Sequence, residues 1–184
     1  MFLPICAFLV FPSKPLDASI ADNKMYTYVT NTKPKVTKQQ EKIDMQDNSW
    51  EEPYKDKANQ LVKLPTIELT TQNYSQVMDV ITLYPERFVG KKIKTTGFVY
   101  REAGFTENQF VLGRLSVTCC VADAGVVGFL VDSSWSDQFK KDQWYEIEGS
   151  FEMKKQENGD VPSIKLRQFK RVPAEKDSYV YQTF

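Results

Sequence analysis

Apolar residues in the middle of the chain recur at intervals of three and four before the interval changes to two. Between Thr71 and Tyr84 they mark one face of an amphipathic helix: Tyr74, Val77, Met78, Ile81 and Tyr84. Thr71 or Asn73 is a candidate N-terminal cap, and Pro85 cannot continue the helix. The pattern therefore predicts a helix that buries this face in a core.

After Glu86, apolar and polar residues alternate, as on strands that bury one face. A short helix is predicted from Ser133 to Lys141, and Asn158-Gly159 favours a tight hairpin before the last strand. Gly97 and Gly149 lie inside predicted strands, where glycine commonly marks a bulge or a sharp bend. Five strands are predicted: Lys91 to Tyr100, Phe110 to Cys119, Val126 to Val131, Gln143 to Lys154 and Ser163 to Val172.

This order of elements predicts a mainly β fold. It is typical of a five-stranded OB-type Greek-key barrel, here preceded by an amphipathic helix and with a short helix between strands three and four. Strands kinked at glycine allow a small sheet to curl and close. An open antiparallel sheet packed on the helix is the structural alternative.

The first eleven residues are continuously apolar, and the polar residues Ser13 and Lys14 follow Pro12. The run is shorter than the roughly 17 to 25 residues that cross a bilayer, and no basic residue precedes it as in a secretory signal. We interpret residues 1–13 as the end of a transmembrane helix; a partly ordered apolar terminus is the alternative. Residues 14–63 are expected to form a polar, partly disordered stalk, residues 64–172 the OB-like domain and residues 173–184 a C-terminal tail.

Composition narrows the possible chemistry. The 184 residues include 24 Lys plus Arg, 24 Asp plus Glu and no His. Without histidine, a Ser-His-Asp triad, Cys-His chemistry and a His-ligated zinc site are excluded within this chain. The balanced charge weakens the case for a nucleic-acid binder, because such proteins rely on excess basic residues. The 3 Cys do not make the disulfide framework of a small secreted domain.

Candidate chemistry concentrates in one predicted strand and the residues that follow it. Cys119, Cys120 and Asp123 offer two thiolates and a carboxylate, which suit zinc, copper(I) or a trivalent metalloid. They are one ligand short of a closed tetrahedral site, and free cysteines more often serve as small buried hydrophobic residues. Arg114 interrupts the apolar strand and needs a partner if it is buried. Asp123 or Asp132 could form an ion pair with it, and recognition of an anionic ligand is the alternative.

OB barrels often bind single strands through stacked aromatic rings and basic side chains. Between residues 86 and 172 we count 14 basic and 12 acidic residues, a net charge of +2 from 14 minus 12. That excess is small for a nucleic-acid groove. Single-stranded nucleic acid or an oligosaccharide is nevertheless an alternative ligand, and the residues that could bind it are Phe98, Tyr100, Trp144, Tyr145, Lys165, Arg167, Lys170 and Arg171.

Three segments resemble a known family: PSKPLDASIADNK after the apolar run, YPERFVGKKIKTTGFVYRE, and FVLGRLSVTCCVADAGVVGFLV. They are similar to the YcgQ-like family of bacterial membrane proteins. The resemblance implies an apolar run that closes the last transmembrane helix, an extracytoplasmic soluble domain at the cell membrane, and a permease as partner. It marks five family-motif positions without assigning them roles: Arg114, Cys119, Cys120, Asp123 and Gly128.

The residues and the resemblance together predict a membrane-tethered, non-enzymatic accessory domain of a permease system. Its cofactor would be a soft metal ion or metalloid held by Cys119, Cys120 and Asp123, with Arg114 as a further site residue. A single-strand or oligosaccharide binder is the second hypothesis. A thiol-redox protein is the third, although Arg114 is the only neighbouring residue that could lower a thiol pKa.

Overall fold

The computed structural model describes residues 52–117, 124–156 and 159–181. Within these ranges the fold is mainly β, with seven strands and two α-helices. The helices are α1 (Glu52–Lys63) and α2 (Tyr74–Leu83). The strands are β1 (Thr66–Leu69), β2 (Lys92–Tyr100), β3 (Gln109–Val117), β4 (Gly125–Asp132), β5 (Trp144–Gln156), β6 (Gly159–Arg171) and β7 (Tyr179–Tyr181).

The seven strands form one sheet in the order β1-β2-β5-β6-β4-β3-β7. Strand β2 pairs in addition with β3, at the three positions Phe98 to Tyr100, so the pairings of the five central strands form a ring. The β4–β6 pair is parallel, whereas the other four pairs of the ring are antiparallel. The outer strands β1 and β7 are each parallel to their neighbour.

Helix α2 forms where the three- and four-residue spacing predicted it. Tyr74, Val77, Met78 and Ile81 are buried in the main core. Asn73 occupies the N-cap position, but its side chain bonds backwards, accepting from the Thr70 amide and donating to the Glu68 carbonyl. That arrangement ties the helix start to the end of β1. Pro85 ends the helix and opens a 3-10 turn, Pro85–Arg87.

Two predicted glycine positions behave differently. The ladder between β5 and β6 shifts register between Glu148 and Gly149, which confirms the expected bulge. Gly97 lies in an unbroken ladder with β5, and its role is close approach: a β-carbon there would lie 2.5 Å from the Gly113 carbonyl oxygen. Glycine at position 97 is therefore required where β2 and β3 meet.

The structure corrects the predicted architecture in several respects. The described residues form seven strands and not the expected five, because β1 and β7 are too short for a clear alternating pattern. The sheet is not a clean barrel, since β2 and β3 pair at only three positions. Residues 133–141 contain a 3-10 turn, Ser136–Gln138, in place of the predicted short helix.

The ordered fold also extends past both expected boundaries. Helix α1 lies inside the segment 14–63 that was expected to be a stalk, and its Ala58 and Leu61 are buried. Strand β7 lies inside the expected tail and buries Val180. The predicted transmembrane remnant at residues 1–13 lies outside the described residues. Among the helices within the described ranges, none is long and apolar enough to cross a membrane.

Candidate functional site

A buried arginine lies where β3 meets the C-terminal segment. Arg114 is only 1% exposed, and it pairs across the β3–β4 ladder with Val127. Alternation along β3 places it on the same face as Phe110 and Leu112, which belong to the main core. A guanidinium at such a position requires specific acceptors, because leaving a buried charge unpaired is costly.

The acceptors of Arg114 come from two distant parts of the chain. Its Nη2 donates to Thr71 Oγ1 at 3.0 Å and to the Asp177 carbonyl oxygen at 2.8 Å. Its Nη1 lies 3.6 Å from Glu175 Oε1. The Thr71 hydroxyl in turn donates to Glu175 Oε2. Arg114 therefore joins the loop before α2 to the segment that leads into β7.

Two aromatic rings complete the surroundings of the guanidinium. Its central carbon lies 4.9 Å from the ring centroid of Trp144 and 5.9 Å from that of Tyr74. The Tyr74 hydroxyl donates to the Val127 carbonyl oxygen at 3.3 Å. Burial raises the pKa of Tyr74, against the opposing effect of the Arg114 charge. Tyr74 is thus a neutral donor, and cation–π contact supplements the charge–charge interaction at Arg114.

The guanidinium retains unused hydrogen-bonding capacity. Arg114 Nε is buried and has no hydrogen-bond partner in the part of the chain that the structure describes. Burial lowers the pKa of Arg114, and the Glu175 carboxylate opposes this effect. An arginine still remains protonated at physiological pH, so this centre can bind carboxylate or another anion but cannot transfer protons.

The acidic partner of Arg114 differs from the predicted Asp132. Asp132 is not its partner: the Asp132 carboxylate forms an ion pair with Lys154 and accepts from Gln109. The acidic partner is Glu175, which lies in the segment predicted to be a C-terminal tail. The other expected partner, Asp123, lies outside the described residues.

The predicted metal ligands Cys119, Cys120 and Asp123 all lie outside the described residues, between β3 and β4. The thiol-redox hypothesis concerns the same two cysteines, Cys119 and Cys120. Within the described ranges, no group of three or more cysteine or acidic side chains could hold a metal ion. The adjoining strands pair up to Ser116 and Gly125, which brings the two ends of this connection together.

The aromatic residues proposed for stacking on a single strand are not available for it. Phe98, Tyr100, Trp144 and Tyr145 are all buried in the structure. The basic residues of β6 are exposed, and one of them, Lys170, forms an ion pair with Glu146 at 3.0 Å. Since the rings are buried and the basic side chains are exposed, the two groups do not form a common groove.

A second network, around the half-buried Arg101, was not singled out from the sequence. Arg101 Nη2 donates to the Ser136 hydroxyl and carbonyl oxygens, each at 2.8 Å, and Nη1 donates to the Gln109 carbonyl oxygen at 2.9 Å. The Arg101 central carbon also lies 5.5 Å from the Phe110 ring centroid. Because its acceptors are mostly backbone carbonyls, no residue type in the sequence could have signalled this network.

The seven-stranded sheet, its two helices and the Arg114 centre define a mainly β domain in which the C-terminal segment is part of the fold. The chain belongs to the family described as the DUF1980 C-terminal domain, whose family model matches residues 44–182. The match includes α1, Arg114 and the segment that leads into β7. The resemblance to the YcgQ-like family is therefore confirmed.

Two relatives resemble nearly the whole chain. UPF0703 protein YcgQ of Bacillus subtilis (strain 168) is 25% identical over 189 residues, covering 98% of this chain and 66% of that protein. A protein of Streptococcus mutans serotype c is 24% identical over 196 residues, covering 99% of this chain and 72% of its own length. That relative is named "Putative two-component membrane permease complex subunit". This chain thus spans about two thirds of the length of the first relative and somewhat more of the second.

Proposed function

We propose that this chain provides the accessory, non-enzymatic domain of a two-component permease system and works at the cell membrane on the extracytoplasmic side. The observation that carries the proposal is the streptococcal relative, whose name describes a permease complex subunit and which aligns with 99% of this chain. The partner would be a membrane permease, and the domain would be held near it by the segment that precedes α1.

We further infer that the five central strands are of the OB type. Two features support this inference: the ring order β2-β5-β6-β4-β3, and the single parallel pair β4–β6 within it. OB folds are partly open Greek-key barrels that serve mainly as binding modules. The short seam between β2 and β3 agrees with partial opening. An OB-type domain is a suitable accessory subunit because it offers binding surfaces on a rigid sheet.

Crosslinking in the native host tests the permease proposal. The full gene product would carry an affinity tag and a photo-crosslinking residue at exposed Val89 or, separately, at exposed Trp135. We expect a multi-span membrane protein to be captured from at least one position. The crosslinked product should be lost when the gene that encodes this membrane protein is deleted. Crosslinking to soluble proteins alone, with an unchanged pattern in the deletion strain, would count against the proposal.

We also propose that Cys119, Cys120 and Asp123 bind a soft metal ion or metalloid. The support comes from the sequence, since two thiolates and a carboxylate suit such ions. Native mass spectrometry of the reduced full chain with zinc, copper(I) or arsenite tests it. We expect a stoichiometric adduct that the Cys119→Ser/Cys120→Ser variant loses and the Cys6→Ser control keeps. An adduct that depends on Cys6, or none with reactive thiols, would refute metal binding here.

A further inference from the structure

The segment from Glu175 to Tyr181 pairs with the edge of β3 and contacts Arg114. We propose that the β3 edge beside Arg114 is a docking site for an extended protein segment that carries a carboxylate, and that the chain's own C-terminal segment fills this site in the isolated protein. The inference does not depend on the identity of the membrane partner or on the metal site.

Strand β3 changes its neighbour halfway along its length. Residues Val111 to Gly113 pair with β2, whereas Leu115 to Val117 pair with β7. Residues Lys92 to Thr95 of β2 do not pair with β3; they pair with β1 and β5. The second half of β3 therefore has backbone groups on one side that only a strand from outside the central ring satisfies.

The contact between β7 and β3 is small. Three residues of β7 pair in parallel with three of β3, a pairing slightly less stable per residue than an antiparallel one. Val180 is buried, whereas Tyr181 is 56% exposed. Backbone pairing together with one buried side chain is how extended peptides add to a sheet edge in known recognition domains.

The charge contact next to β7 is incomplete. Glu175 is 37% exposed, and its Oε1 lies 3.6 Å from Arg114 Nη1, longer than a normal hydrogen bond. Arg114 Nε, among the described residues, has no acceptor. A carboxylate seated more closely would form a stronger, charge-assisted contact than Glu175 does. An external acidic segment that makes this closer contact would therefore bind Arg114 more strongly than the chain's own segment does.

The buried arginine sets the chemistry of the occupant. If the C-terminal segment left without replacement, Arg114 would lose both the Asp177 carbonyl and the Glu175 carboxylate while staying in the core. A neutral segment would restore backbone pairing but would leave the buried charge uncompensated. Exchange therefore favours a segment that places a carboxylate a few residues before the residues that pair with β3.

A peptide-exchange experiment on the full chain tests the proposal. The probe is a fluorescent peptide with the sequence of Pro173 to Tyr181, PAEKDSYVY, and a second peptide has glutamine in place of its glutamate. Binding is measured by fluorescence anisotropy to the wild-type chain, to Glu175→Ala, and to Glu68→Ala. Glu68 is the matched control, because it is an exposed acidic residue in an ion pair on the other outer strand.

We expect Glu175→Ala to bind the peptide about fivefold more tightly than wild type, the size expected for loss of a partly exposed ion pair that competes with it. Glu68→Ala should bind like wild type, and the glutamine peptide should bind more weakly. Hydrogen exchange on the wild-type chain gives a second readout: the peptide should deprotect residues 179–181 and leave residues 115–117 protected. Equal binding by all three chains, equal binding of both peptides, or unchanged exchange would overturn the proposal.

Discussion

Gly128 on β4 lies directly opposite Gly113 on β3, and a β-carbon on Gly128 would lie 2.6 Å from the Gly113 α-carbon. The same β-carbon would lie 2.2 Å from the Leu112 carbonyl oxygen. These contacts are with backbone atoms, so a side chain could be accommodated only by moving a strand. The two glycines allow the strands to approach closely, immediately beside Arg114.

Gly128→Ala is therefore expected to destabilise the fold, by about 1–3 kcal/mol if the strands can shift. Urea denaturation followed by tryptophan fluorescence measures the loss. Gly104→Ala is the control, because no atom beyond the adjoining residues of the chain lies within 4 Å of a β-carbon at that position. Equal stability of the two variants would show that the β3–β4 approach is looser than described.

Arg114→Ala should cost much more stability than Glu175→Gln. Removing the arginine leaves a cavity beside Trp144 and removes the hydrogen bonds to Thr71 and Asp177, a loss of about 3 kcal/mol. Glu175 is 37% exposed, so its replacement should cost less than about 1 kcal/mol. Denaturation of both variants in one buffer gives the comparison. Similar losses would mean that the ion pair, and not the buried hydrogen bonds, holds the segment.

Asp79→Asn should stabilise the protein at neutral pH. Burial raises the pKa of Asp79 above its ordinary value of 3.8, so the ionised carboxylate is less favourable in the folded chain than in the unfolded one. This penalty is fully present above the folded-state pKa and disappears as the pH falls below 3.8, where both states are protonated.

The gain from Asp79→Asn should therefore shrink as denaturation is repeated at successively lower pH. Asp137→Asn is the control, because Asp137 is exposed. An Asp79→Asn variant less stable than wild type at pH 7 would show that the carboxylate has a favourable contact.

Arg101→Lys should loosen the connection between β2 and β3. A lysine ammonium cannot hold the Ser136 and Gln109 oxygens from two nitrogens at once, so part-buried carbonyls lose donors. We expect a loss of about 1–3 kcal/mol and faster amide exchange around Ser136. Arg167→Lys, at an exposed position, should change neither quantity. Unaltered exchange at Ser136 in the Arg101 variant would argue against this network.

The alternating and helical patterns located much of the fold. Helix α2 and the five central strands lie close to their predicted positions, because each has enough apolar residues to show its period. Strand β7 has three residues and β1 has four, too few for a period to be recognised. Helix α1 was missed because polar residues dominate it; only two of its apolar side chains, Ala58 and Leu61, are buried.

The candidate site was predictable to a smaller extent. Arg114 was singled out because a charged residue interrupts an apolar strand, and burial confirms that it is unusual. Its partners could not be deduced, since Thr71 and Glu175 lie far from it in sequence and one acceptor is the Asp177 backbone carbonyl. Such contacts depend on topology, which residue patterns do not encode directly.

The short outer strands have a consequence for solubility. Strand β1 pairs with Lys92 to Thr95 and β7 with Leu115 to Val117, the halves of β2 and β3 that do not pair with each other. Exposed strand edges promote aggregation, because their free backbone groups can pair with another copy. Each short strand therefore covers one edge of an incompletely closed seam. A truncation that removes either strand should yield a chain that self-associates even where the central strands still fold.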